Sequence, residues 1–90
     1  MIIKAAVKIH DKRLNKETII PCFRHGDAFL ILKEFGYKKG TDYEEIAQGF
    51  LDNKNQFYTR KEASIWMKEH GQKTRFNDFP DEELYSEDLY

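Results

Sequence analysis

The chain has 90 residues, 40% of them apolar and 14% aromatic, with a formal net charge of −1. That composition excludes a disordered or low-complexity chain, and so short a domain has a thin margin of burial that subunit association would widen. One cysteine, Cys22, excludes an internal disulfide framework, and no apolar run approaches the roughly 18 residues of a membrane-spanning helix.

In chain order, "IIKAAVKI" (residues 2–9) reads as a strand. It is β-branched, and Lys4 and Lys8 share one parity. The start is too short for a signal peptide and is interrupted by these lysines, so a cytoplasmic protein is expected. "HDKRLNKE" is a polar turn. "TII" (18–20) makes the second strand of a hairpin, which Pro21 ends. Asp27–Phe35 reads as a helix whose apolar face is Ala28, Ile31, Leu32 and Phe35, with Gly36 as its stop. Thr41 and Glu44 have capping-box spacing for one short turn.

"IAQGFLDNKNQFYT" reads as a second hairpin, with strands over about 46–51 and 56–58. Thr59 with Glu62 is a stronger capping box, and it opens a helix over 60–70. Ala63, Trp66, Met67 and His70 line one face of that helix, and Gly71 ends it. The order ββαββα predicts an α+β fold: a small antiparallel sheet of about four strands packed by two helices, forming a single domain over 1–90.

Charge is uneven along the chain. Residues 1–40 hold nine Lys/Arg against four Asp/Glu, whereas residues 77–90 hold six acids and no base. The acidic segment 77–90 is either a solvated end or a strap on the domain or a neighbouring subunit. Leu84, Tyr85, Leu89 and Tyr90 favour packing. Ser86 then caps a turn, with Glu87 and Asp88 near its start. Alternatively, Ser86 and Asp88 reach a bound ligand and hold ribose hydroxyls.

Three stretches carry candidate chemistry. Arg24-His25-Gly26-Asp27 stands where the first helix begins. Free amides there attract anions, and an arginine adds a bidentate fork for phosphate. The competing reading is that Asp27 satisfies the helix start. Thr59-Arg60 sets a second arginine at a second helix start, so a ligand with two phosphates would suit the pair. Gln48-Gly49-Phe50 puts a glycine inside a strand, which marks a bulge or a close backbone approach, next to an aromatic able to stack on a base. Gln72 and Tyr58 complete the candidate set, as a polar reader and a second stacking ring.

Enzyme signatures are absent from the chain, including HExxH, CxxC, a Walker loop and GxSxG. His10, His25 and His70 lack metal-ligand spacing, so no metal and no cofactor are expected. Cys22 with His25 is the one thiol–imidazole pair near in sequence, and Glu87 with Asp88 the one terminal carboxylate pair. Neither comes with the further groups that catalysis needs. Basic residues are scattered rather than gathered on one helix, so duplex nucleic acid is not an expected partner.

The motifs "FRHGDAF", "QGF", "QFYTRKEA", "GQ" and "LYSEDLY" occur here in that order. Over roughly residues 22–90 the chain resembles a group of small phage- and prophage-encoded proteins. Their pattern is an R-H-H-like element, E-Q-G-F, R-F-x-x-R-x-E-A, G-Q and a terminal L-[FY]-S-E-D-L-[YW]. Gly26, Ala47 and Gln56 depart from it. The resemblance implies a phage accessory protein acting on a host system in the bacterial cytoplasm. Three functions are in view. The first is sequestration of a small phosphorylated nucleotide-like signal in counter-defence, with Arg24, His25 and Arg60 on phosphate, Gln48 and Gln72 on polar edges and Phe50 or Tyr58 on the base. The second is inhibition of a host defence protein. The third is a small nucleotide hydrolase using Cys22/His25 or the terminal carboxylates. A homo-oligomer is expected because the chain is short and rich in aromatics.

Overall fold

The computed structural model describes residues 1–90. The strands β1 (Ile2–Asp11), β2 (Lys16–Cys22), β3 (Tyr43–Asp52) and β4 (Phe57–Thr59) form one antiparallel sheet in the order β2-β1-β3-β4. Helix α1 (His25–Glu34) follows β2, and α2 (Arg60–His70) follows β4. The ββαββα order is thus an α+β fold with four strands and two helices.

Two buried aspartates close the hairpins. Asp11 Oδ1 accepts from the amides of Arg13 and Leu14 at 2.9 and 3.1 Å. Asp52 Oδ1 accepts from Lys54 and Gln56 at 2.8 and 2.9 Å, and Asp52 Oδ2 from the Tyr58 hydroxyl at 2.9 Å. Burial alone would push the Asp52 carboxyl up, but these donors hold it below the ordinary carboxylate value. A carboxylate that accepts local amides substitutes for the missing strand bonds of the turn.

One face of the sheet carries the core. Its two clusters meet there: Ile2, Ala5, Phe50, Ala63, Met67 and Leu84 under α2, and Val7, Ile9, Ala28, Leu32 and Tyr43 under α1. Residues on alternate strand positions share a face, which is why Ala5, Val7 and Ile9 fall together.

The structure corrects several local expectations. Pro21 does not end the second strand but lies within β2, opposite Ala6. Strand β3 begins at Tyr43, so Thr41 and Glu44 cap no turn. Tyr43 is buried and pairs with Asp11, and Lys12 N donates to Asp42 O at 2.8 Å, which recruits the segment into the sheet. Helix α1 begins at His25, two residues before Asp27. Its buried line is Ala28–Leu32, while Ile31 and Phe35 are exposed. The cause is the helix end. Gly36, at φ +78°, lets Tyr37 N reach Leu32 O at 2.9 Å, and this folds Tyr37 rather than Phe35 against the sheet. On α2, Ala63 and Met67 are buried as expected. His70 instead lies outside, stacked on Trp66 with centroids 4.0 Å apart.

After α2 the chain returns across the domain. Gln72 makes a reciprocal amide pair with the backbone of Ile2, at 2.9 and 2.8 Å, as a neighbouring strand would. Leu84 is fully buried, and its amide donates to Arg60 O at 3.0 Å. A 3-10 turn, Ser86–Asp88, follows. Arg75 holds it from below: its amide donates to Asp88 O at 2.8 Å and its Nε to Glu87 O at 2.6 Å. Tyr90 ends the chain as a wedge. Its Oη accepts from Ala5 N at 2.9 Å and donates to Cys22 O at 3.1 Å, bridging the last rung of the β1–β2 ladder.

Candidate functional site

The site is built outward from Gly49. A Cβ at this position would overlap the Tyr58 carbonyl oxygen and come within 2.6 Å of the Phe57 ring. Glycine is therefore what lets β4 pair closely with β3 here. Of the two readings of a strand glycine, close approach holds, since the register shifts lie at Ile2/Lys4 and Lys8/Ile9 instead.

The Gly49 carbonyl accepts from His25 Nε2–H at 2.8 Å. A carbonyl only accepts, so this bond fixes the tautomer, and Nδ1 carries the lone pair. Burial lowers the His25 pKa, and the nearby Arg60 charge lowers it further. The Gly49 bond and the more distant Glu87 and Glu45 oppose them without prevailing. The imidazole is neutral at pH 7, and Phe50 meets it edge-on with centroids 5.2 Å apart.

Nδ1 faces Arg60 Nη2 at 3.5 Å. The same nitrogen donates to Gln48 Oε1 at 2.6 Å, and Gln48 Nε2 donates to Glu45 Oε1 at 3.1 Å. The Tyr85 ring centroid lies 5.0 Å from the guanidinium carbon. Three groups thus orient Arg60, and none of them neutralises it. The ion pairs of the structure, Lys12–Glu44 and Arg13–Asp42, lie elsewhere. Arg60 Nε is buried without a hydrogen-bond partner. A buried donor left unpaired costs on the order of 1–3 kcal/mol. Beside Arg60 is an open hollow of about 360 Å³, lined by Glu45, Gln48, Thr59, Arg60, Lys61 and Glu83.

Local sequence explains where the guanidinium is placed. Thr59 Oγ1 accepts from Glu62 N at 3.2 Å, and Glu62 Oε1 accepts from Thr59 N at 2.9 Å. This reciprocal cap fixes where α2 begins and so sets Arg60 at its first helical position. The Glu62 carboxyl is held below its ordinary value by its bonds to Thr59.

Arg24 is placed differently. It is the N-cap residue of α1, with extended backbone, and its amide donates to Asp27 Oδ2 at 3.1 Å. Its guanidinium lies against the stacked pair Phe23–Tyr90, at 4.8 and 5.4 Å from the two centroids. It does not line the hollow beside Arg60, so the expected two-arginine cradle is not one cavity.

The remaining candidates divide. Gln48 and Arg60 share the hollow. His25 stands behind Arg60, where its occupied Nε2 and lone-pair Nδ1 serve to position rather than to grip phosphate. Phe50 is fully buried in the core and offers no face to a base. Tyr58 closes the β3–β4 turn through Asp52. Gln72 is committed to Ile2, and with Asp88 it lines a second hollow at the chain ends. Asp88 Oδ2 accepts from Tyr85 N at 2.9 Å, and Ser86 is buried. The Cys22 thiol is pushed up to about 11, by burial first and then by the Asp27 charge, so it is protonated at neutral pH and a poor nucleophile. No three His, Cys, Asp or Glu side chains are grouped to hold a metal ion. Glu45, Lys61 and Glu83 are the lining residues that sequence reasoning missed. Glu83 is distant from Arg60 in sequence, and only the returning terminal segment brings it near.

No helix is long and apolar enough to cross a membrane. No curated protein and no solved structure matches the chain. Over residues 1–90, however, it matches the model of the phage T4 y16D protein family, and the chain belongs to that family.

Proposed function

We propose that this phage protein binds and sequesters a small phosphorylated, nucleotide-like signalling molecule in the hollow beside Arg60, as an accessory counter-defence factor. The observation that carries this reading is the state of Arg60: oriented by His25, Gln48 and Tyr85, paired with no acid, and lining an open hollow. A phosphate supplies the negative charge that no acid of the chain sets against this guanidinium. Lys61 adds a second cation at the rim, and Thr59 and Gln48 supply polar contacts. Sequestration asks only for tight binding, so it fits a site without a nucleophile. The hydrolase reading finds no support in a protonated, half-buried Cys22.

Titration calorimetry with nucleoside monophosphates, cyclic nucleotides, cyclic dinucleotides and ADP-ribose tests the proposal. Binding is expected for at least one of them, and Arg60→Ala is expected to weaken it by roughly 10- to 150-fold, the worth of one charge-assisted hydrogen bond of about 1.5–3 kcal/mol. No heat with any of these ligands at millimolar concentration overturns it.

A second reading, inhibition of a host protein, is favoured by one observation. Phe76, Phe79 and Tyr85 are all exposed along a segment that also carries Asp78, Asp81, Glu82 and Glu83. Capture of one host protein that is lost in the Phe76→Ser/Phe79→Ser double variant would support it.

A further inference from the structure

We infer that the Arg60 hollow selects a nucleoside carrying a single phosphate, as a monoester or a cyclic diester, and discriminates against di- and triphosphates. The inference rests on the reading of this hollow as a nucleotide site and names the ligand class within it.

The lining is charge-balanced. Arg60 and Lys61 supply two positive groups, and Glu45 and Glu83 two negative ones. Its other lining side chains, Gln48 and Thr59, are neutral. A polyphosphate site would gather cations and backbone amides with few acids. The cap spends the Glu62 amide on Thr59 Oγ1. A second or third phosphate held against this lining would lie beside Glu45 or Glu83, and like charges at such range repel.

The two carboxylates also have positive work to do. Ionised carboxylates only accept hydrogen bonds. Glu45 takes one at Oε1 from Gln48, and Glu83 takes one at Oε2 from the Tyr85 hydroxyl at 3.3 Å. In each case the second oxygen has no donor from the protein. A ligand with donors opposite its phosphate, such as a ribose diol or an exocyclic amine, would fill them. The hollow thus pairs one phosphate-binding end at Arg60 with two acceptor positions, a pattern that matches a nucleoside with low phosphate charge.

Calorimetry with AMP, 3′,5′-cyclic AMP and ATP on the full chain tests this, and AMP and the cyclic form separate the two ester types. The expected result is that AMP or cyclic AMP binds at least about tenfold tighter than ATP. The Glu45→Gln/Glu83→Gln variant is expected to shrink that preference to about twofold or less, by weakening the single-phosphate ligand and strengthening ATP. Both positions are exposed, so the variant retains the fold, which circular dichroism checks. If ATP binds as tightly as AMP, in a manner sensitive to Arg60→Ala, the hollow is a polyphosphate site. The selectivity is then wrong while the nucleotide reading stands. If neither AMP, cyclic AMP nor ATP binds, the selectivity is likewise overturned, and the wider ligand panel decides the nucleotide reading. If the double variant leaves the preference unchanged, the carboxylates are not its source and the inference fails.

Discussion

Arg24 and Arg60 each stand at the start of a helix, yet their surroundings give them different work. At α2, Thr59 and Glu62 cap each other's amides, and Arg60, one residue on, lines the hollow and is oriented there by His25, Gln48 and Tyr85. At α1 the N-cap is Arg24 itself, which has no acceptor to offer the helix amides. Asp27 caps it from within, and the guanidinium settles on the Phe23–Tyr90 stack. The same residue type in the same local position becomes a candidate ligand group in one case and a cover for aromatic rings in the other. What divides them is what the tertiary fold sets beside each guanidinium: His25, Gln48 and Tyr85 at Arg60, and Phe23 and Tyr90 at Arg24.

The comparison can be broken at its base. Gly49→Ala puts a methyl group into the Tyr58 carbonyl and the Phe57 ring, so β4 must move, and the carbonyl that holds His25 moves with it. A destabilisation of about 3 kcal/mol in urea unfolding is expected, at the upper end for overpacking, together with loss of ligand binding at Arg60. Full retention of both would show that β4 is not held as described.

A direct contrast follows from truncating each arginine. Arg60→Ala is expected to cost the roughly 10- to 150-fold in affinity given above, whereas Arg24→Ala should change affinity by about twofold or less. Equal losses by calorimetry would restore the single two-arginine cradle that the sequence suggests.

Tyr90→Phe sharpens the Arg24 side. The ring and its stack on Phe23 are kept, while the hydroxyl that bridges Ala5 N and Cys22 O is lost. Stability should fall by about 1–2 kcal/mol in urea unfolding, because two buried backbone groups lose their partner. Affinity at Arg60 should be unchanged.

The smallest effect is a pH dependence on the Arg60 side alone. Burial lowers the His25 pKa below its ordinary value of 6.5 in the folded state. Between the folded pKa and 6.5 the unfolded chain binds more protons, so stability is complete above about pH 6.5 and is lost as pH falls through that window. His25→Gln should flatten this slope. The losses from Asp42, Asp52 and Glu62, whose carboxyls are lowered, come at more acid pH, as these groups protonate. Unfolding midpoints measured from pH 7.5 to 5 separate the two.

The parts of the fold legible in the sequence are those written in short-range chemistry. Helix α2 runs from its Thr59/Glu62 cap to Gly71 as read, because capping and termination depend on residues within one turn. Period-two alternation marked β1. It failed for β3, where the run 44–46 after the buried Tyr43 is exposed throughout and joins the sheet because β1 is there to pair with it. Phe50 illustrates the limit at the site. Its neighbours Gln48 and Gly49 suggested an exposed stacking ring, but Phe50 pairs with Ala5 on the helix-covered face and goes into the core.

By itself the sequence determined the element order, the cap of α2, the two hairpin turns and the presence of an arginine at each helix start, since each follows from residues a few positions apart. Only the tertiary structure decided which arginine lines the hollow, which histidine nitrogen carries the proton and which acids share the hollow. Those outcomes depend on groups brought together from β3, α1, α2 and the returning terminal segment, and the burial that sets their charge states exists only once the sheet has closed.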